Sequence, residues 1–319
     1  MSKSKKTAVS VLIVLSICIT LFAGCASGKN DDQEISIAYQ YGIAYIPLIL
    51  VKELDLLESK IDPEITVNWS LLSSGQAVNE GLASGKIDAA AMGISPFITG
   101  VTQGVGYKIF SGMSSQPIEL ITNRESVRSL ADVRPEDKIA MGSYGSMQHI
   151  ILAMACSKEL GDAHALDNNI FALSHPDAYS SLVSGSVDFH VATPPYLYIE
   201  QEQEGLYTVP SVAGVWPSDY VFTVAVATES FRERHPEVYS ALVESLHEAI
   251  DYANEHPDEV AAMLYESQGI AQDDLYAYIT SPSCIFSYEA KGVLELAEFM
   301  IDNGFADGEL PKEEDCFFE

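Results

Sequence analysis

The chain has 319 residues, 47% of them hydrophobic, with 17 lysines and arginines against 46 aspartates and glutamates and a formal net charge of −29. So acidic a surface repels phosphate backbones and anionic headgroups, which excludes a nucleic-acid partner and a polybasic membrane contact. The length exceeds what one small hydrophobic core serves and predicts two lobes.

The N-terminus carries Lys3, Lys5 and Lys6 with no acidic residue near them. An apolar run follows over residues 8–23, broken only by Ser10, Ser16 and Thr20, and leads into Gly24 and Cys25. A basic start, a short apolar stretch and small residues before a cut define a secretory signal over residues 1–24. The run is at the short end for a membrane span, which needs roughly 20 apolar residues. Leu21-Phe22-Ala23-Gly24-Cys25 resembles the bacterial lipoprotein box, although Phe22 stands where that box usually has leucine. The resemblance implies cleavage before Cys25 and a diacylglycerol on its sulfur. Residues 25–33 are polar and predict a flexible tether. Loss of the three lysines leaves 14 basic against 46 acidic residues, a mature charge near −32. No second long apolar run follows, so the remainder is expected to be soluble.

The mature chain alternates strand-like and helix-like segments. Residues 35–39 read as a strand, 47–57 as a helix apolar at Leu48, Val51, Leu54 and Leu57, and 65–70 as a strand. A helix over 76–84 and an apolar strand over 87–92 follow, then strands over 107–111 and 118–122. Residues 138–141 open the next unit, with a helix over 146–159. Such alternation predicts an α/β fold with a mostly parallel sheet. Leu82-Ala83-Ser84-Gly85-Lys86-Ile87-Asp88 recurs 100 residues later as Leu182-Val183-Ser184-Gly185-Ser186-Val187-Asp188. Each copy reads as a helix ended by a left-handed glycine, then a buried strand. Matching elements on both sides predict two similar lobes. After Pro217 the chain reads as mainly helical. Pro236 and Pro257 mark helix starts, Val238, Leu242, Leu246, Ile250 and Ala253 form a stripe at helical spacing, and 286–303 reads as a further helix.

Tyr41-Gly42-Ile43-Ala44-Tyr45-Ile46-Pro47 before a leucine-rich helix resembles the opening of the nitrate/sulfonate/taurine group of ABC substrate-binding proteins. The repeated Ser-Gly-x-x-Asp elements resemble its two lobes. Residues 142–149 (Gly-Ser-Tyr-Gly-Ser-Met-Gln-His) resemble its second-lobe glycine-serine loop, and 190–196 its hinge-side strand end. The likeness runs from about residue 35 to the end, and the order and spacing of the motifs carry it. It implies a type II periplasmic-binding fold, with two α/β lobes joined by two crossover strands and a ligand cleft between them. Lobe one is expected over 34–120 plus 222–319, lobe two over 121–221, and the crossovers near 118–123 and 216–222. The implied role is the extracytoplasmic, lipid-anchored receptor of an importer, a monomer that closes on a small organic ligand and docks on a permease with its ATPase.

In open α/β sheets ligands bind beyond the carboxyl ends of the strands. That rule selects the loops 39–45, 73–76, 92–96, 112–116, 142–149, 193–196 and 216–220. The candidate ligand contacts in them are Gln40, Tyr41, Tyr45, Ser74, Gly75, Gly93, Ser95, Ser114, Ser143, Tyr144, Ser146, His149, Thr193, Tyr196, Trp216 and Asp219. Gln76, Gln116 and Gln148 add amides. Two loops, at Ser74 and at Ser143–Ser146, run into helix N-termini, whose free N–H groups favour an anion. None of the seven loops holds Lys or Arg, and together they hold six tyrosines and Trp216. This combination favours an organic ligand. A sulfonate held by helix ends and a pyrimidine-type vitamin precursor both fit. Nitrate and bicarbonate fit less well.

No HExxH, GxSxG, CxxC or GxGxxG occurs, so no catalytic role, cofactor or metal is expected. His175, His235 and His256 each precede a proline at a helix start and read as structural. The remaining alternatives are a ligand-binding module feeding a sensor and an enzyme on the same fold. Beyond Cys18 and Cys25, the chain has Cys156, Cys284 and Cys316. Cys156 reads as a buried thiol, and a Cys284–Cys316 bridge is left open.

Overall fold

The computed structural model describes residues 33–319. The expected signal segment, Cys18, Cys25 and nearly all of the tether lie outside the described residues.

Lobe one opens with β1 (Glu34–Tyr39), α1 (Ile46–Glu53), β2 (Thr66–Leu71), α2 (Gly75–Ala83), β3 (Ala89–Gly93), α3 (Ile94–Thr102) and β4 (Tyr107–Ser115). The chain then builds a second sheet through β5 (Glu119–Thr122), β6 (Ile139–Met141), α4 (Met147–Leu160), β7 (Ile170–Ala172), α5 (His175–Val183), β8 (Phe189–Ala192), α6 (Tyr196–Glu202) and β9 (Tyr207–Val209). It returns to the first sheet as β10 (Thr223–Thr228), followed by α7 (Glu229–Arg234), α8 (Pro236–Glu255), α9 (Pro257–Gln268), α10 (Gln272–Ile279), β11 (Ile285–Phe286), α11 (Val293–Asp302) and α12 (Glu313–Cys316). The sheet orders are β11-β4-β10-β3-β1-β2 and β7-β6-β8-β5-β9. The chain crosses between them at residues 116–118 and 210–222.

Both sheets are mixed rather than mostly parallel. β1 runs parallel to β2 and β3, and β6 parallel to β7 and β8. The strand that arrives from the other lobe lies antiparallel inside each sheet. β10 inserts between β3 and β4, and β5 between β8 and β9. All five residues of β3 and all six of β10 are buried, as strands covered on both faces must be. β10 is also the main departure from a helical C-terminal third. Its Thr-Val-Ala-Val-Ala-Thr pattern suits the interior of a sheet. The helix expected over 286–303 begins only at Val293. Ile285 and Phe286 pair instead with Ser115 and Ser114, and Gly292, at φ 88, turns the chain into α11. Residues 94–102 form a helix that takes up part of the loop expected over 92–96, with Pro96 in the first turn, where a missing N–H costs nothing.

The repeat has a shared mechanical role. Gly85 and Gly185 take φ of 70 and 75, ending α2 and α5. Asp88 Oδ2 then accepts from the N–H of Ser36, and Asp188 Oδ2 from that of Lys138, each at 2.9 Å. Each aspartate thus holds the start of a neighbouring strand, or of the segment leading into one. The expected stripe of α8 is buried and packs on α1. Cys156, Cys284 and Cys316 are all free and buried, so the bridge left open is not formed. Cys284 Sγ accepts from Gln116 Nε2 at 3.0 Å, and burial pushes its thiol up to about 12.

Gly112 lies in β4 under the segment that follows β11. A Cβ there would sit 2.2 Å from the carbonyl oxygen of Glu289, a backbone atom that cannot rotate away. Gly112→Ala is expected to lose about 2 kcal/mol through overpacking. Urea unfolding should show a lower midpoint at an unchanged slope; a midpoint equal to wild type would refute the contact.

Candidate functional site

A cleft of about 880 Å³ opens between the lobes. Its walls are the chain segments leaving the carboxyl ends of the parallel strands. From lobe one come 40–45 after β1, 71–76 from the last residue of β2 onward, and Gly93 and Pro96 at and beyond the end of β3. From lobe two come 142–148 after β6, 174–176 after β7, and 193–196 after β8. A helix that follows a strand starts where the strand ends, so α2, α4 and α5 all aim their N-termini at this space. Ser74, Ser146 and Ser174 cap them, accepting from the N–H groups of Ala77, His149 and Asp177. One capping bond still leaves further N–H groups of the first turn without an intrahelical acceptor.

Among the described residues no lysine or arginine lines the cleft, and Glu80 is its one carboxylate. The other polar groups are hydroxyls, amides (Gln40, Gln76, Asn79, Gln103, Gln116, Gln148) and the His175 ring. Tyr41, Tyr45, Tyr144, Tyr196, Met147 and several prolines supply apolar faces. Tyr41 and Tyr144 are about half exposed (46% and 56%), so their rings are open to a ligand. The hydroxyl of Tyr144 donates to the carbonyl of Ile170 at 2.8 Å, and that of Tyr41 to the carbonyl of Gln268. Tyr196 lies nearly parallel to His175, with centroids 6.1 Å apart and planes at 14°.

Of the sixteen candidates, Gln40, Tyr41, Tyr45, Ser74, Gly75, Gly93, Ser143, Tyr144, Ser146, Thr193 and Tyr196 line the cleft. Ser95, Ser114 and His149 stand behind its wall. The Ser95 hydroxyl donates across the lobes to the Gly145 carbonyl at 2.7 Å. Ser114 bonds the Ala44 carbonyl and Thr223 inside lobe one. His149 Nδ1 accepts from the Gly145 N–H, and its Nε2 meets Asp167 at 3.4 Å. Burial holds the His149 ring below the usual histidine range. Trp216 and Asp219 lie elsewhere. Trp216 packs edge-on against Tyr220, beside Gly292, and Asp219 faces Lys291 on the surface.

The sequence reading missed the loop after β7. Ser174 lies 100 residues after Ser74, so the repeat already placed it opposite a known candidate. His175, read as structural, reaches the cleft. Its Nε2 lies 3.1 Å from Gln148 Nε2, and its Nδ1 lies 2.9 Å from His190 Nε2. His190 Nδ1 in turn meets Glu200 Oε1 at 2.6 Å, with both side chains fully buried. Burial pulls the two histidines down to about 3 and pushes Glu200 up to about 8. Among the described residues no group of three or more His, Cys, Asp or Glu is placed to hold a metal ion, and no helix is long and apolar enough to cross a membrane.

The NMT1-like family matches residues 28–265 of this chain. A Bacillus subtilis (strain 168) protein named for binding aliphatic sulfonates is 30% identical over 260 residues, covering 78% of this chain and 76% of its own length. The taurine-binding periplasmic protein of Escherichia coli (strain K12) is 21% identical over 305 residues, with coverage of 89% and 92%. The crystal structure of the periplasmic aliphatic sulphonate binding protein SsuA from Escherichia coli has the same fold. Its TM-score is 0.70 at 19% identity, over 90% of this chain and 92% of that one.

The buried groups set a pH dependence. Between pH 4.5 and 8 native Glu200 keeps a proton that the unfolded chain has released, so its contribution to stability falls as pH rises through that window. His175 and His190 act in the opposite sense between 6.5 and 3, where the unfolded chain takes up protons that the native rings refuse. Glu200→Gln removes only the first effect. Relative to wild type, the variant should gain stability steadily from pH 4.5 to 8 in urea unfolding, and a difference that ignores pH would show that Glu200 is ionised throughout.

Proposed function

The chain belongs to the NMT1-like family, and from that premise we propose that it is the extracytoplasmic receptor of an ABC importer that captures a small organic sulfonate. One observation carries the ligand class. Three helix N-termini, one from lobe one and two from lobe two, converge on a cleft that has no cationic side chain among the described residues. A sulfonate spreads one charge over three oxygens, which suits several neutral N–H and O–H donors arriving from different directions. The tyrosine, methionine and proline faces suit its carbon body. The names of the Bacillus subtilis and Escherichia coli relatives support the same class.

In this reading the ligand bridges the lobes and shifts the population toward the closed form by its higher affinity for that form. The segments 116–118 and 210–222 act as the hinge. The lobe tips dock on a permease with its ATPase, the protein works as a monomer, and the lipid on Cys25 holds it at the membrane. A second reading, a flat heterocycle such as a pyrimidine vitamin precursor, draws on the near-parallel Tyr196 and His175 rings and the half-exposed Tyr41 and Tyr144.

Two measurements test the proposal. Residues 26–319, refolded to strip carried ligand, should be stabilised by about 2.7 kcal/mol at a hundredfold excess of an alkanesulfonate or taurine over its Kd. In a thermal-shift panel this raises Tm by several degrees, while nitrate leaves it unchanged. A shift with formylaminopyrimidine and none with sulfonates would transfer the assignment to the heterocycle. Separately, Cys25→Ser should move the protein from the membrane to the soluble fraction, and undiminished membrane association would refute the lipid anchor.

A further inference from the structure

Behind the α5 side of the cleft, Glu200, His190 and His175 form a line from a sealed carboxyl to the cleft surface. The links are 2.6 Å and 2.9 Å. At the inner end Glu200 Oε2 is buried and has no hydrogen-bond partner among the described residues. At the outer end His175 Nε2 lies 3.1 Å from Gln148 Nε2 and 3.4 Å from Thr193 Oγ1, both on the cleft wall.

A neutral imidazole donates at one nitrogen and accepts at the other, so the line has one of two polarities. An ionised Glu200 draws both rings into the Nδ1–H form and leaves a lone pair on His175 Nε2. A protonated Glu200 donates to His190 Nδ1, His190 Nε2–H donates to His175 Nδ1, and His175 Nε2–H faces outward. The orphaned Oε2 selects between them. A carboxylate oxygen buried without a donor costs more than the carbonyl oxygen of a neutral acid. Burial also raises the Glu200 carboxyl well above the usual range.

We propose that protonated Glu200 orders the tautomers of His190 and His175 so that His175 Nε2–H is a hydrogen-bond donor into the cleft, contacting an anionic oxygen of the ligand. His175 is the ligand contact, and His190 and Glu200 are positioning residues. In the ligand-free cleft the Gln148 amide turns to suit, its oxygen accepting from Nε2–H (the amide nitrogen and oxygen are interchangeable in shape), and the ligand oxygen replaces it as acceptor on binding. A neutral donor explains how the cleft binds an anion without an arginine, since no buried cation has to be desolvated. It also sets specificity, because a ligand that presents a donor at this point meets another donor. The nature of the anion rests on the sulfonate reading, whereas the polarity of the line does not.

Long-range 1H–15N NMR of the ligand-free mature chain at pH 7 reads the tautomer of each ring. The expected result is Nε2–H at both His175 and His190. Glu200→Gln should keep it, because the amide donates to His190 as the acid does, and Glu200→Leu should not. On titration with methanesulfonate the His175 Nε2 resonance should shift. His175→Phe and Glu200→Leu should each weaken binding about tenfold, while Glu200→Gln stays within about twofold. Nδ1–H tautomers overturn the proposal even if methanesulfonate binds, as does wild-type affinity in His175→Phe. Nε2–H tautomers in a protein that binds no sulfonate uphold the donor line and overturn the sulfonate reading instead.

Discussion

A helix that follows a parallel strand has to begin at that strand's carboxyl end, and its first turn then carries N–H groups without intrahelical acceptors. In this protein the two sheets face each other along those ends, so α2, α4 and α5 point their N-termini at one space. The site's chemistry follows from that. Partial positive charge comes from fixed backbone dipoles, which need no reorganisation and carry no desolvation cost of a buried cation. Capping serines keep each first turn in place, and each turn retains further N–H groups without an intrahelical acceptor.

The same topology links the lobes. Each sheet contains one strand delivered by a crossing segment and run against its neighbours, β5 in one and β10 in the other. The lobes also touch directly away from those crossings. Ser95 donates to the Gly145 carbonyl, Tyr198 meets Ser283 at 3.0 Å, and His164 Nε2 lies 2.7 Å from the Asn303 carbonyl with its ring stacked on Phe305. These small polar and aromatic contacts are of the kind that a hinge motion can break and remake, in contrast to the all-buried strands β3 and β10.

The electrostatics separate surface from site. A chain of net charge −29 presents a cleft with one carboxylate and no cation among the described residues. Over distances longer than about 8 Å the surface charge is screened, so the cleft answers to its own dipoles. The Glu200–His190–His175 line belongs to this economy of neutral donors, with burial favouring the uncharged form of all three groups.

Local pattern determined the α/β class, the paired repeat with its left-handed glycines, the helix starts that follow the loops at Ser74 and at Ser143–Ser146, and most of the cleft loops. These depend on residues within one turn or one strand of each other, and the 100-residue repeat extends them from lobe to lobe. Tertiary structure decided the rest. The place of β10 at the middle of a sheet depends on partners more than 100 residues away, β3 and β4. Whether a side chain in a cleft loop faces the cleft or the protein interior depends on the register of its strand or helix, which is why Ser95, Ser114 and His149 turn inward. His175 looked structural because Pro176 follows it. Only the packing of α5, β8 and α6 brings it into line with His190 and Glu200, since hydrogen bonding across elements leaves no spacing in the chain to read.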